Sequence, residues 1–298
     1  MVVMDIVLQV LIIVALGFVG AAMGSFAGAQ VWRIRAQQLK QEKSEGEKVD
    51  EKEYKRLKPL INNKGLNDRS IDLDTGRRLP WYDLIPIFSW LVLKGKSRYS
   101  KKPIGKFEFF VEVGVALFFI ISYIAWPVEI NSFFEISRFV LWLVSGVILA
   151  VLFSYDYKWQ LLPNNYTIAL AVFGALNFLM VIASSDDKIA VLLNSLASIL
   201  ILSGLYLAFY LYSKGKWVGF GDVKLGFGLA LFLISWQLSF LSLFLANFMG
   251  ILVVLPSMIK GELAKGTKIP LGPLLILGMI IAFLFGNQII DGYLSLML

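Results

Sequence analysis

Four acidic residues stand within or at the edge of long apolar runs: Glu108 and Glu112 open one run, Asp156 closes another and Asp222 opens a third. An acid at the centre of a membrane helix costs roughly 2.5–3.5 kcal/mol on insertion scales, so each position asks for a reason. The chain contains no histidine and no cysteine. That double absence removes Ser-His and Cys-His nucleophiles, HExxH zinc sites, thiolate metal sites and disulfides. Carboxylate chemistry, a Ser-Lys dyad, or no chemistry at all remains. Two neighbouring carboxylates do not both ionise cheaply; they share a proton, and such a pair can activate water while protonating a departing amide nitrogen. Asp222 lies in Gly219-Phe220-Gly221-Asp222 and is followed by Val223-Lys224. Gly219 and Gly221 remove side-chain bulk beside the acid and leave room for an extended peptide. The bland alternative pairs each acid with a lysine in the headgroup region, Asp156 with Lys158 and Asp222 with Lys224.

The elements that must position these acids are membrane helices. The chain has 298 residues, 58% of them hydrophobic, and a mean hydropathy of +0.73, which is more apolar surface than one soluble core of this size buries. Apolar runs near residues 3–31, 108–126, 138–155, 166–184, 189–212, 222–237, 239–258 and 270–290 predict an all-α integral membrane protein of about eight spans. The sixth and seventh are divided only by Ser235-Trp236-Gln237-Leu238-Ser239, so a seven-span count stays open. Arg33 and Arg35 follow the first run, whereas the only early charge is Asp5. This order reads as a retained span with its amino terminus outside rather than a cleaved signal peptide. The chain thus divides into a first span (1–32), a small basic cytosolic or interfacial insertion (33–107) and a polytopic core (108–298). Within the insertion, Gln41 to Lys58 reads as a solvated helix or linker. The Pro-broken aromatic stretch Trp81 to Trp90 is too short to span and suits an interfacial or re-entrant segment.

Alternating the loops places residues 33–107, 156–165, 213–221 and 259–269 in the cytoplasm. Lys158, Lys214, Lys216, Lys224, Lys260, Lys265 and Lys268 fall on that side, while Glu129, Glu135, Asp186, Asp187 and Asp291 face only Arg138 and Lys188 on the other. Lysines alone therefore bring Asp156 and Asp222 to one membrane surface. The net charge of +7 flanks spans rather than forming a basic face, which points to anionic lipid and away from nucleic acid.

Several motifs resemble bacterial prepilin peptidases, the type IV leader peptidase group of GxGD aspartyl proteases, over nearly the whole chain. Gly24-Ser25-Phe26 and Arg33 resemble the family's GSFxNVxxxR opening, with Gly28 where asparagine is usual. Trp81 to Trp90 is similar to WYDLIPxxSW, and Pro103-Ile104 with Val111-Glu112 to the lead-in to the second span. Ser154-Tyr155-Asp156 with Leu162-Pro163-Asn164 resembles the first catalytic motif, Gly219 to Leu225 the second, GxGDxKL, and Lys268 to Pro273 the family's IPFGP run. The resemblance implies cleavage of the short cytoplasmic leader of type IV prepilins or pseudopilins at the inner membrane. Asp156 and Asp222 would be the catalytic pair, supported by Gly219, Gly221, Lys224, Glu112 and Arg33, and no cofactor is needed for peptide hydrolysis. Glu112 would orient a substrate amine or, as the plainer reading has it, pair with Arg33. Many members also methylate the new amino terminus with S-adenosylmethionine.

Bacterial members commonly carry a zinc ribbon with two CxxC pairs around the WYDLIP segment. Here the corresponding positions are Asp72, Thr75, Ser97 and Ser100. That set offers one strong oxygen ligand and no soft one, so no metal is expected, and hydrogen bonds among the same side chains are expected to close the ribbon instead. Its loss, with Gly28, leaves methylation open. Three other readings stand beside this one. A protease of the signal-peptide-peptidase kind shares GxGD but not the WYDLIP and IPLGP runs. A proton-coupled transporter would use the same carboxylates as a relay, although inverted repeats and mid-membrane acids are missing. A Ser-Lys peptidase lacks an evident pair at membrane depth.

Overall fold

The computed structural model describes residues 2–61, 70–261 and 269–297, with only the backbone of residues 2–5. Lys265, Lys268 and the side chain of Asp5, which bear on the expected topology, lie outside the described residues. Eleven helices are described: α1 (Val2–Ser44), α2 (Glu51–Ile61), α3 (Phe88–Val92), α4 (Phe107–Ile124), α5 (Phe133–Trp159), α6 (Asn164–Ser184), α7 (Lys188–Ile199), α8 (Leu205–Ser213), α9 (Phe220–Leu233), α10 (Trp236–Ile259) and α11 (Leu271–Ser295). A π turn, Leu200–Gly204, joins α7 to α8. Seven of the resulting helices are long and apolar enough to cross a membrane. The remaining apolar run, the sixth, is α9, whose 14 residues reach about 21 Å, short of the roughly 30 Å of bilayer hydrocarbon. The weak boundary before α10 is a true break: Ile234 turns into the left-handed region and the Ser235 hydroxyl caps α10. The chain forms two compact units, Met1–Tyr123 and Ile124–Leu298.

In the first unit α1 continues well past its apolar run, because neither glycine nor proline interrupts residues 29–45. Gly17, Gly20 and Gly24 give α1 a smooth face for α4. A Cβ at Gly24 would stand 2.6 Å from the Glu112 Cα, so only glycine permits that approach. Residues 41–58, expected to be a solvated helix or linker, are largely helical and exposed, and they also fold back: α2 packs on the end of α1 through Ala36, Leu39, Leu57 and Ile61, with Trp32 and Tyr54 beside them. Arg35 bonds Glu53 at 2.7 Å across the same hairpin.

The segment from Ser70 to Pro103 contains two small turns closed by the bridges Ile71–Arg78 and Lys96–Pro103. Asp72 Oδ1 accepts the Asp74 and Thr75 N–H groups at 2.9 and 2.8 Å. Ser97 Oγ accepts those of Tyr99 and Ser100 at 3.1 and 3.2 Å. Asp72 Oδ2 links the turns, accepting from the Ser97 hydroxyl and from the Ser100 hydroxyl at 3.4 Å. The zinc associated with such ribbons does not fit this donor set, and no group of three or more His, Cys, Asp or Glu among the described residues is arranged for a metal. Burial pushes the Asp72 carboxyl up. The Ser97 hydroxyl, followed by donors on Thr75 and Asp74, outweighs that and holds it below its ordinary value.

The second unit surrounds α9. Val223, Leu225, Gly226 and every residue from Gly228 to Leu233 are buried. Gly174 of α6 and Gly228 of α9 let these two helices touch, and α10 pairs with α11 through Gly278 and Gly286. At the far end from Asp222, the Trp142 ring stacks on Phe283 with centroids 4.1 Å apart and meets Phe232 edge-on. The last carbonyls of a short helix buried at this depth have no water to bond. Asn177 supplies the donors, its amide reaching Leu231 O at 3.1 Å and Phe232 O at 3.4 Å.

Replacing Asn177 by leucine, of similar size, strands those carbonyls and should cost about 1–3 kcal/mol, read as a lower midpoint in thermal unfolding in detergent. A depressed carboxyl stabilises the fold above its unfolded value and loses that contribution as pH falls through its folded value. Amide protection across residues 70–103 should accordingly be constant near neutrality and decline once the pH drops below the ordinary aspartate value of 3.8. In Asp72→Asn it should be weak at every pH, and chelators should change neither protein. Hydrogen exchange followed by mass spectrometry measures all three outcomes.

Candidate active site

Asp156 occupies the last turn of α5 and is 5% exposed. The helix stops four residues later, where Gln160 enters the left-handed region and returns its N–H to the Asp156 carbonyl at 2.8 Å. A negative side chain in a final turn opposes the helix dipole. The compensation comes from another helix: Asp156 Oδ2 accepts the N–H of Gly272, the second residue of α11, at 3.0 Å. Asp156 thereby caps the amino end of α11 in trans. A Cβ on residue 272 would lie 2.8 Å from that oxygen, so the contact requires glycine.

Asp222 is the third residue of α9, with Gly219 at the N-cap. Its Oδ2 accepts the Gly219 N–H at 3.1 Å, and its own N–H returns to the Gly219 carbonyl at 3.1 Å. Both acids are therefore held at the positive ends of helices, α9 for one and α11 for the other. The Asp222 carboxylate is close enough to Asp156 to act on it electrostatically.

Neither acid forms an ion pair among the described residues. Lys224 donates to Asn164 Oδ1 at 2.7 Å and lies over the Phe220 ring; Lys158 lies over the Trp159 ring. The expected alternative of two lysine-paired surface acids is thus not what the fold builds. Lys224 ties the start of α6 to the start of α9, and Leu162 packs directly under Gly221, where a Cβ would meet it at 3.2 Å. Leu162-Pro163-Asn164 consequently docks the α5–α6 turn onto the Gly-Phe-Gly-Asp turn.

The structure gathers Asp156, Asp222, Gly219, Gly221 and Lys224 in the second unit and leaves Glu112 and Arg33 in the first. Glu112 does not pair with Arg33. Its Oε2 accepts the Ile87 N–H at 2.6 Å, and Ser25 approaches the same carboxylate. The physical reason is the backbone of Ile87, whose φ of 63° is uncommon for a β-branched residue and needs an outside hold. Gly272, Leu162 and Asn164 were not singled out as site residues by chemistry, because they contribute a backbone amide, a packing surface and a neutral acceptor. The sequence signal for Gly272 is its place in the Lys268 to Pro273 run, at the head of an apolar stretch, that resembles the family's IPFGP.

Comparison with known proteins gives the family. Residues 18–126 match the bacterial peptidase A24 N-terminal domain and residues 143–255 the type IV leader peptidase family. A prepilin leader peptidase/N-methyltransferase of Xanthomonas campestris is 30% identical over 241 residues, covering 76% of this chain and 75% of that protein. Proteins of the same name from Pseudomonas aeruginosa (31% over 217 residues; 72% of this chain, 71% of that one) and Bacillus subtilis (29% over 222 residues; 74% and 84%) are similar. No solved structure matched. The transporter reading finds no support among these relatives. Two matching domains in order, and relatives aligned along most of their length, make this chain a multi-pass membrane member of the type IV leader peptidase family, whose members process prepilins.

Proposed function

We propose that this protein is an aspartyl endopeptidase in which Asp156 and Asp222 together hydrolyse the peptide bond between the short leader of a type IV prepilin or pseudopilin and its hydrophobic helix. The observation that carries this reading is the pairing of two acids from separate helices, held by glycine amides rather than by lysines. Structural acids at membrane depth are normally neutralised by a countercharge; a pair left facing each other is suited to sharing one proton. In the reaction one carboxylate takes a proton from water as its oxygen bonds the scissile carbonyl carbon. The other gives its proton to the amide nitrogen as the C–N bond breaks, and an acid and an amine leave. Gly219 leaves no side chain beside the Asp222 carboxylate, and Gly221 makes room for Leu162 beneath the same turn.

Orientation follows from charge. Lys158, Lys214, Lys216 and Lys260 fall at the ends of α5, α8 and α10 that adjoin the acids, which favours a cytoplasmic site in the inner membrane. The relatives' printed name adds N-methylation, and a feature of the first unit favours carrying it over. A cavity of about 240 Å³ there is lined by Trp32, Trp90, Phe109, Glu108 and Glu112. Glu108 Oε1 accepts the Trp32 indole N–H at 2.8 Å, while Oε2 is buried with no partner among the described residues. An orphaned carboxylate oxygen among aromatic walls suits a cation such as a sulfonium or an ammonium. These residues would hold S-adenosylmethionine, which when bound supplies the methyl group for the new amine.

Asp156→Asn and Asp222→Asn should each lower cleavage of a reconstituted prepilin-like substrate by at least about a hundredfold, and normal turnover by either would end the dyad reading. Gly272→Ala should reduce cleavage by about tenfold or more with both acids intact, because a 1 Å displacement in a positioned group has effects of that order. Mass spectrometry of the released product, with S-adenosylmethionine present, should show a methylated amine in the wild type and an unmodified one in Glu108→Gln. An unmodified amine throughout would restrict the protein to peptide hydrolysis.

A further inference from the structure

Tyr206 is the second residue of α8, immediately after the π turn Leu200–Gly204. A π turn sacrifices regular helix geometry and occurs most often where a local shift serves a site. Here it presses the chain onto α9. The Ser203 hydroxyl donates to the carbonyl of Val223, the neighbour of Asp222, at 2.9 Å. The Leu202 carbonyl fits against α9 only because residue 226 is glycine. The start of α8 is thereby fixed within about one turn of Asp222, and the Tyr206 hydroxyl lies within electrostatic reach of that carboxylate.

Tyr206 is 4% exposed, and its hydroxyl has no hydrogen-bond partner among the described residues. The Asn247 side chain on α10 is near enough to act on the hydroxyl but lies outside hydrogen-bond geometry, turned so that its amide donates to the Leu243 carbonyl at 2.7 Å. Ser198, Ser239 and Ser242 are also unpartnered, yet a helical serine can turn onto its own i−4 carbonyl, which a tyrosine hydroxyl cannot reach. A buried phenol that bonds nothing is worse for stability than phenylalanine of the same shape. Its retention beside the acids makes sense if its partner arrives with the substrate.

We propose that the Tyr206 hydroxyl is a third hydrogen-bonding group of the site, donating to the scissile carbonyl oxygen as attack by water converts it to an alkoxide. The phenol keeps its proton throughout; it offers a preorganised donor where negative charge develops. This inference rests on the dyad reading above. Its test compares wild type, Tyr206→Phe, Asp156→Asn and Asp222→Asn as full-length proteins in nanodiscs, with a prepilin-like peptide and its analogue carrying a thioamide at the scissile bond. Tyr206→Phe should unfold at the same or a higher temperature than wild type. Its kcat on the amide should fall by about a hundredfold, the usual effect of losing one such donor, with KM within about twofold. On the thioamide, a weaker acceptor, most of that penalty should vanish. A kcat near wild type while both aspartate variants are inactive would overturn the tyrosine assignment alone. So would an equal loss on both substrates, or a loss that merely follows a lowered unfolding temperature. Normal cleavage by an aspartate variant would instead remove the dyad on which the assignment stands.

Discussion

The second unit keeps two carboxylates within electrostatic reach of each other where little water reaches them. Countercharges would neutralise the pair, and in the reaction proposed above that would remove the proton the two acids share. Backbone amides at helix amino ends avoid this, because they stabilise negative charge through partial charges and contribute no titratable group. Each acid has one such donor within 3.1 Å. The arrangement requires two helix beginnings and one helix end to converge, which is why α5, α9 and α11 meet at one place. It also requires glycine at 272, where a methyl group would intrude on the carboxylate, and glycine at 221 leaves room for Leu162 beneath the turn that holds Asp222.

Convergence at one end leaves α9 with a problem at the other. A helix of 14 residues that begins at the acids runs out before the bilayer does, and its exposed carbonyls would cost several kcal/mol each in hydrocarbon. The bundle meets this by burying α9 on nearly all sides and giving its last carbonyls to Asn177. The glycines at 174, 226 and 228 belong to the same solution, since close helix contact replaces the lipid that a longer span would have faced. A short, fully jacketed helix also holds its first turn rigidly, and that turn carries Asp222.

Much of this was legible in the residues because lipid imposes simple rules. The apolar runs, their lysine-biased loops and the break at Ser235 gave the helices, and the depth of Asp156 and Asp222 gave the pair. What stayed hidden has a physical pattern. Apolarity reports where lipid is and not where a helix ends, so α1 was cut at residue 32 although its backbone continues to Ser44. The α2 hairpin was hidden because its apolar stripe of Leu57, Leu60 and Ile61 is sparse within a strongly charged run. Gly272 contributes only an N–H, which every residue except proline carries. Glu112 was assigned a charged partner because composition cannot reveal that a backbone strained at Ile87 would claim it first.

The first unit shows how a polar cross-link can stand in for a metal and what else must then change. A structural zinc contributes about 10–16 kcal/mol to small folds, whereas the Asp72 bonds to Ser97 and Ser100 can supply only a few kcal/mol in total. The loop between the two turns, which carries Trp81 to Trp90, therefore needs independent anchors. Arg98 holds Asp83 at 2.7 Å, and three further contacts anchor the loop from outside: Glu112 holds the Ile87 amide, the Trp90 indole N–H bonds the Gly105 carbonyl at 2.8 Å, and the Trp90 ring packs on Phe109 with centroids 4.7 Å apart. Two of the three reach α4, and α4 is itself fixed on α1 by the contact at Gly24. The segment is thus secured from the membrane helices, and Gly24, Ile87, Trp90 and Glu112 join in one connected set of contacts.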